Sequence, residues 1–369
     1  MSSLFLKIVN MSIAASWLIL AVVLLRVVLK KAPKWIHVLL WGIVAFRLIC
    51  PFSFESALSL IPSAETISPE IMMDWTPEIS TGVSSIDKVV NPIITDTFAP
   101  KPIASANPLQ LLIPLLAIVW AIGIIAMLVY ATVSYFRLQK KVCASLSVRD
   151  NIWICDDIQT PFILGFFKPS IYIPSGTDEA QLPYIIAHEN AHLKRCDHWW
   201  KPLGYLVLAI HWFNPLVWIA YILLCRDIEL ACDEKVIRGL NQNESISYSE
   251  ALLSCSVNRR TVMVCPLAFG EVGVKERVKN VLNYKKPAFW IVAIAVVSSI
   301  VLGVCFLTNP SSFPVKLDSV QISKASTMDF RTNSGPTTFQ LNVSEIDELS
   351  SRIKHLKIGQ KDQSLQGHT

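Results

Sequence analysis

Long apolar runs alternate with short basic clusters along this chain. Four of the runs are long enough for a helix to cross a bilayer core of about 30 Å, which takes roughly 20 residues. They extend over about residues 4–29, 35–52, 109–135 and 288–307. The pattern predicts four transmembrane helices, and the first is interpreted as a retained anchor because no small-residue cleavage site follows it.

The composition agrees with a membrane protein. Of the 369 residues, 52% are hydrophobic and 17% are charged, whereas about a quarter of the residues of a soluble domain are charged. The net charge of +5 comes from basic clusters at positions 30–34, 137–141 and 275–286, each beside an apolar run. Because these positive charges do not form one basic face, no direct binding of nucleic acid is expected.

The basic clusters also predict an orientation. Short loops rich in Lys and Arg face the cytoplasm under the positive-inside rule. The N-terminus and the polar segments at residues 53–108 and 308–369 are then expected outside. Neither polar segment contains a cysteine, so no disulfide is predicted in them.

One pentapeptide, His188-Glu189-Asn190-Ala191-His192, has the spacing of a metal site. In a helix the two histidines, at i and i+4, project from one face. Such a pair typically binds zinc, which lowers the pKa of its water to about 7, and the adjacent glutamate accepts the water's proton during attack on a peptide carbonyl. The motif therefore predicts Zn²⁺ at His188 and His192 with Glu189 as the catalytic residue. An amphipathic helix with two surface histidines is the alternative.

A second pair with i, i+4 spacing, Glu229 and Asp233, can complete this site. Glu229 is the predicted third zinc ligand, and Asp233 is predicted to accept a hydrogen bond from a ligating imidazole, which fixes its tautomer. Three protein ligands leave a position open, as in catalytic zinc sites. A non-proteolytic receptor with a structural zinc is the alternative, and it would require a fourth protein ligand.

A fifth apolar stretch, residues 199–224, separates the two pairs of polar residues. A complete crossing would move the predicted ligands about 30 Å apart, yet all must lie within about 2.2 Å of one zinc. The stretch must therefore return to the side that it left, and Pro215 near its middle marks a turn. We predict a helical hairpin that is re-entrant or lies on the membrane surface, with a buried hairpin of a soluble-facing domain as the alternative.

Several blocks resemble the bacterial membrane zinc metallopeptidases of the β-lactam-sensor and antirepressor type. The blocks cover residues 160–165, 169–174, 187–197, 211–218, 227–233 and 267–271. By matching position, the resemblance implies zinc ligands at His188, His192 and Glu229 and a catalytic Glu189. It also implies a signalling endopeptidase that cleaves a protein substrate, such as a transcriptional repressor, or itself. A housekeeping membrane protease, similar in motif to the CAAX endopeptidases, is the alternative.

Two further expectations accompany the resemblance. Aromatic and β-branched residues in the stretch 161–174 predict an edge strand, and Phe162, Ile163, Leu164 and Gly165 could pair with an extended substrate backbone. A strand that only packs beside the motif helix is the alternative. The best-known members carry a large outer penicillin-binding domain after the last span. Only about sixty residues follow Leu307 here, so no sensing of β-lactams by acylation is expected.

The sequence thus predicts a mainly α integral membrane protein with four transmembrane helices and a cytoplasmic α+β metallopeptidase domain of the gluzincin-like HExxH type. The predicted boundaries are 1–52 for the first two spans, 53–108 for an outer loop, 109–135 for the third span, 136–287 for the peptidase domain, 288–307 for the fourth span and 308–369 for an outer tail. The expected location is the bacterial cytoplasmic membrane, with the lipid bilayer and a protein substrate as partners.

Overall fold

The structure, a computed structural model, is mostly helical. The residues that it describes are 1–51, 54–56, 58–63, 65–68, 71–72, 77–98, 108–149, 151–257, 273–310, 328–332 and 335–339. They form ten α-helices and eight short strands, in agreement with a mainly α class. The block at 267–271 lies outside the described residues.

The chain divides into two units, Met1–Pro310 and Ser311–Thr369. In the second unit, the described residues form a hairpin of two antiparallel strands. The elements follow in chain order: α1 Ser2–Val28, α2 Lys34–Ile49, β1 Phe54–Ser56, α3 Ser84–Phe98, α4 Pro108–Lys141, β2 Leu146–Arg149, β3 Ile152–Cys155, β4 Phe162–Leu164, β5 Ser170–Pro174, α5 Leu182–Lys194, α6 Asp197–Ile210, α7 Pro215–Ile237, α8 Gln242–Val257, α9 Val274–Leu282, α10 Phe289–Leu307, β6 Thr308–Pro310, β7 Met328–Thr332 and β8 Gly335–Phe339.

Three of the described helices, α1, α4 and α10, are long and apolar enough to cross a membrane. The second predicted span is not confirmed as a full crossing, because α2 has only 16 residues, about 24 Å at 1.5 Å per residue. Prolines at both ends limit it. Pro33 precedes its first residue, and Cys50 takes an extended conformation because the residue before a proline, here Pro51, disfavours the helical region.

The apolar stretch 199–224 forms parts of α6 and α7, which turn back on one another between Ile210 and Pro215. Asn214 caps α7 by accepting a hydrogen bond from the backbone N–H of Leu216, and Pro215 occupies the first turn, where its missing N–H costs nothing. The Asn214 amide also donates to the hydroxyl groups of Ser12 and Ser16 at 2.8 and 2.9 Å. The hairpin turn therefore lies against the middle of α1.

The small sheet has the strand order β2-β3-β5-β4. Strands β3 and β5 are parallel, and the other two pairings are antiparallel. The prediction of one strand over residues 161–174 was wrong in part: β4 is an edge strand, but β5 is internal, with Ile171 and Ile173 buried. The chain reverses at Gly165, whose φ of +110° suits glycine, and a Cβ there would lie 2.6 Å from the carbonyl oxygen of Lys168.

A buried carboxylate joins α1, α2 and α7. Asp227, fully buried on α7, accepts two hydrogen bonds of 2.7 Å from the Arg26 guanidinium of α1 and one of 2.8 Å from the Trp41 indole of α2. Burial raises the pKa of Asp227, but the neighbouring His37, Arg26 and Trp41 outweigh it and lower that pKa below its ordinary value. Helix α7, which carries Glu229, is thus fixed to two helices of the N-terminal region.

Replacing Asp227 by Asn should lower the free energy of unfolding by about 3 kcal/mol, because removing one partner of a buried ion pair leaves the other charge uncompensated. The unfolding midpoint of the detergent-solubilised chain measures this loss. Arg238→Gln is the matched control, since it breaks an ion pair whose Arg side chain is 49% exposed and should cost less than about 1 kcal/mol. Equal losses of unfolding free energy in the two variants would contradict the assignment of Asp227 as a buried ion-pair partner that joins the three helices.

Candidate metal centre

Local sequence explains how α5 presents the motif residues. Pro183 lies in the first turn of the helix, where proline is favoured. The i, i+4 spacing then directs His188 and His192 to one buried face, where they are 8% and 6% exposed. After α5, Cys196 adopts a left-handed conformation with φ of 58°. This sharp turn starts α6 and brings Asp197 back beside His192.

The imidazoles of α5 and a carboxylate of α7 converge on one point. The Nε2 atoms of His188 and His192 are 3.2 Å apart, and the Glu229 carboxylate oxygens lie 3.4 Å from the first and 3.5 Å from the second. Donors about 2.0–2.1 Å from a tetrahedral zinc are separated by about 3.3–3.4 Å. The three side chains thus have the spacing of a tetrahedral metal site with one position open.

Hydrogen bonds at the other ring nitrogens orient both imidazoles. His192 Nδ1 is 2.9 Å from Asp197 Oδ2, and His188 Nδ1 is 2.8 Å from the Tyr248 hydroxyl oxygen. The predicted partner, Asp233, lies 3.3 Å from His188 Nδ1 and accepts a 2.6 Å hydrogen bond from Tyr248. Because Nδ1 is engaged in both rings, each Nε2 is directed to the shared point, as metal-binding histidines require.

Neighbouring charges determine the protonation of the Glu229 and His188 donors. Burial raises the pKa of Glu229, but Lys201, His192 and Arg277 outweigh it and hold that pKa well below its usual range, so Glu229 is a carboxylate. Burial lowers the pKa of His188, but Asp233 and Glu229 outweigh it and raise the value to about 9. A metal ion bound at His188 Nε2 would take the place of this proton, because a ligating imidazole is deprotonated.

A second group of donors shares His192. The Cys232 sulfur is 3.1 Å from His192 Nδ1 and 3.2 Å from Asp197 Oδ2, and these three atoms could also surround an ion. Burial and the nearby Asp197 raise the pKa of the Cys232 thiol well above its ordinary value. Because a metal requires the thiolate, the group of His188, His192 and Glu229 fits a metal better.

Glu189 is buried beside the three donors, being 9% exposed. Among the described residues, none donates a hydrogen bond to its carboxylate, so both oxygens are available to accept a proton. The predicted substrate strand is placed differently: β4 pairs with β5 and lies at the sheet edge. No contact between residues 162–165 and the three donors is described.

Three polar residues around the site were not predicted from the sequence: Asp197, Lys201 and Arg277. Lys201 donates to Glu229 at 2.9 Å, and Arg277 forms two bonds of 2.7 and 2.8 Å to Asp233. The sequence contains one indication of Lys201, which is the only charged residue in the apolar stretch 199–224. Arg277 was assigned to the membrane-flanking cluster, but its side chain is 8% exposed and faces the metal centre.

Known bacterial proteins are similar in sequence to part of this chain. The chain is 31% identical to a methicillin resistance mecR1 protein of Staphylococcus aureus over 163 residues, which cover 41% of this chain and 28% of that protein. It is 29% identical to the regulatory protein BlaR1 of Bacillus licheniformis over 164 residues, or 42% of this chain and 27% of the relative. The aligned region thus spans less than a third of these relatives.

A family model covers more of the chain. The model described as BlaR1 peptidase M56 matches residues 6–281, about three quarters of the sequence. This range includes most of α1, all of α2 to α8, and so the helices that carry His188, His192 and Glu229. The chain therefore belongs to the Peptidase_M56 family of BlaR1-type membrane metallopeptidases.

Proposed function

We propose that the chain is a zinc endopeptidase that passes a signal across the membrane by cleaving a cytoplasmic regulator, such as a transcriptional repressor, or itself. Membership in the BlaR1-type family implies a membrane signal-transducing metallopeptidase. The spacing of 3.2–3.5 Å among the donors of His188, His192 and Glu229 is the observation that carries the assignment of zinc. The relatives' names, a methicillin resistance protein and a regulatory protein, support a regulatory role.

The proposed chemistry is hydrolysis of a peptide bond. Zinc held at the three donors would act as a Lewis acid and lower the pKa of water to about 7. Glu189 takes a proton from the attacking water and delivers it to the leaving amine nitrogen, so that one water is consumed for each bond broken. Asp197 and Tyr248 face Nδ1 of the two imidazoles and so orient each Nε2 toward the shared point.

The proposed topology keeps four membrane helices, with the peptidase domain, residues 136–287, in the cytoplasm and residues 53–108 and 308–369 outside. Helix α2 is short, but it packs between α1 and α7. Basic clusters at 30–34, 137–141 and 275–286 support the orientation.

Contacts of the α6–α7 turn support the re-entrant form of the hairpin. Asn214 donates to Ser16, which lies 12 residues before the end of α1 at Val28, or about 18 Å along the helix. The Trp120 indole of α4 donates to the carbonyl of Ile210 at 2.8 Å. Two candidate spans therefore contact the turn well inside their length.

Comparison of new protein N-termini in cells that produce the wild-type chain or Glu189→Gln tests the proposal. We expect at least one N-terminus, in a cytoplasmic protein or in this chain, that forms only with the wild type, and the intact substrate should accumulate with the variant. The variant must reach the membrane at the wild-type level. Identical sets of N-termini in the two strains would refute a peptidase function.

A further inference from the structure

Four aromatic side chains from three elements form a contiguous cluster outside the metal centre. We call Tyr135, Phe166, Phe167 and Trp199 the aromatic surface. Ring centroids are 5.8 Å apart for Tyr135 and Phe166, 5.8 Å for Phe166 and Trp199, and 5.6 Å for Phe167 and Trp199. Phe167 is 90% exposed and Trp199 is 45% exposed. Such a group is costly to expose to water and indicates an interaction surface.

The position of Tyr135 on α4 places this surface at the level of the lipid headgroups. The apolar part of α4 begins at Leu109, and about 20 residues fill the hydrocarbon core, which therefore ends near Val129. Tyr135 lies six residues further on, or about 9 Å at 1.5 Å per residue. The first charged residue of the helix, Arg137, follows two residues after Tyr135. Tyr and Trp side chains are enriched at this depth in membrane proteins.

The exposed residues of helix α6 independently support a position of the aromatic surface at the level of the lipid headgroups. Trp199, Leu203 and Leu206 are 45%, 36% and 43% exposed, and their spacing of i, i+4 and i+7 puts them on one face of the helix. This apolar stripe runs from the aromatic surface toward the α6–α7 turn, which contacts α1 and α4. A stripe of this kind is stable where lipid chains cover it, with Trp199 at its water-facing end.

Charge favours a lipid partner with anionic headgroups. Lys168 follows Phe167 and is exposed, and Arg137, Lys140 and Lys141 are exposed at the end of α4. Basic side chains near a membrane attract anionic lipids by about 1 kcal/mol each. The combination of exposed aromatic rings, flanking cations and continuity with a membrane helix is typical of an interfacial anchor.

We propose that the aromatic surface anchors the β4–β5 loop and the start of α6 in the headgroup layer of the bilayer, on the side of the membrane that holds the metal centre. The loop follows β4 directly, because Gly165 is its first residue. The edge strand β4 is therefore held next to the membrane surface. The anchor attaches the catalytic domain to the bilayer in addition to its connections to α4 and α10 and the α6–α7 hairpin.

Photocrosslinking of the full chain in vesicles of phosphatidylethanolamine and phosphatidylglycerol tests this anchor. Benzoylphenylalanine is placed at position 167 or, as the matched control, at position 175. Ser175 is exposed and follows the end of β5 that is far from the β4–β5 loop, and β5 itself is about 16 Å long at 3.3 Å per residue. We expect lipid adducts at 167 at least tenfold more often than at 175. Replacing phosphatidylglycerol by phosphatidylcholine should reduce the adducts at 167.

Two results would overturn the anchor. One is an equally low yield of lipid adducts at 167 and 175, and the other is crosslinking of position 167 to a polypeptide instead of lipid. If the variant at 167 does not fold, as judged by its unfolding midpoint, the same probe at position 199 decides the question by the same criteria. Neither position belongs to the metal centre, so a failed anchor leaves the proposed peptidase function untouched.

Discussion

Replacing Glu189 by Gln is expected to lower the rate of substrate cleavage by about 10³-fold, while the metal content of the purified protein stays at the wild-type level. General-base catalysis typically contributes 10²–10⁴-fold, and Gln has nearly the size of Glu but cannot accept the proton of water. The three donors that would hold the metal, His188, His192 and Glu229, are unchanged in this variant. Loss of rate without loss of metal therefore identifies a catalytic role rather than a structural one.

The cleavage rate is measured on the substrate that the comparison of N-termini identifies. The metal content is measured on the same protein samples. Glu179→Gln is the matched control, because it makes the same chemical change at an exposed position before α5 and should leave the rate unchanged. A Glu189→Gln variant that cleaves at the wild-type rate would exclude Glu189 as the base. Equal loss of rate and metal would indicate that the substitution disrupts the metal centre itself.

Replacing Glu229 by Gln is expected to reduce zinc affinity by well over 100-fold, because even residues that only support a ligand contribute 10–100-fold. The change removes the anionic donor but keeps the side-chain volume. It also leaves Lys201 and Arg277 beside a neutral group, which lowers the free energy of unfolding, since buried charges lose their partner. Metal content after dialysis against a defined free-zinc concentration measures the affinity.

Cys232→Ser is the control for this experiment, because Cys232 belongs to the competing group with His192 and Asp197. The variant should keep its zinc, since serine preserves the shape of a side chain that contributes no ligand to the favoured site. If Cys232→Ser loses zinc while Glu229→Gln retains it, the metal is bound by the second group of donors, His192, Asp197 and Cys232.

The sequence predicted the parts of the site that local geometry determines. The i, i+4 spacing of His188 and His192 places both on one helix face whatever the rest of the chain does. Glu229 followed from the requirement that all ligands reach one ion, which also predicted the return of the chain between α6 and α7. In the structure these donors lie 3.2–3.5 Å apart.

Contacts that depend on long-range packing were not predictable. Tyr248 is separated from His188 by 60 positions, and Arg277 by 89, so no periodicity relates them. Arg277 has the chemistry of a membrane-flanking residue, and only the packing of α9 against α7 shows that it pairs with Asp233. The length of α2 was overestimated because hydropathy continues to Phe52, whereas Pro51 ends the helix at Ile49.

X-ray absorption at the zinc edge, recorded on the purified full-length chain with one zinc bound, tests the central claim most directly. We expect two imidazole nitrogens at about 2.0–2.1 Å, carboxylate or water oxygens at about 2.0–2.2 Å and no sulfur, as for zinc held by His188, His192 and Glu229. A sulfur neighbour at about 2.3 Å would place the ion at Cys232 and contradict the proposed metallopeptidase centre.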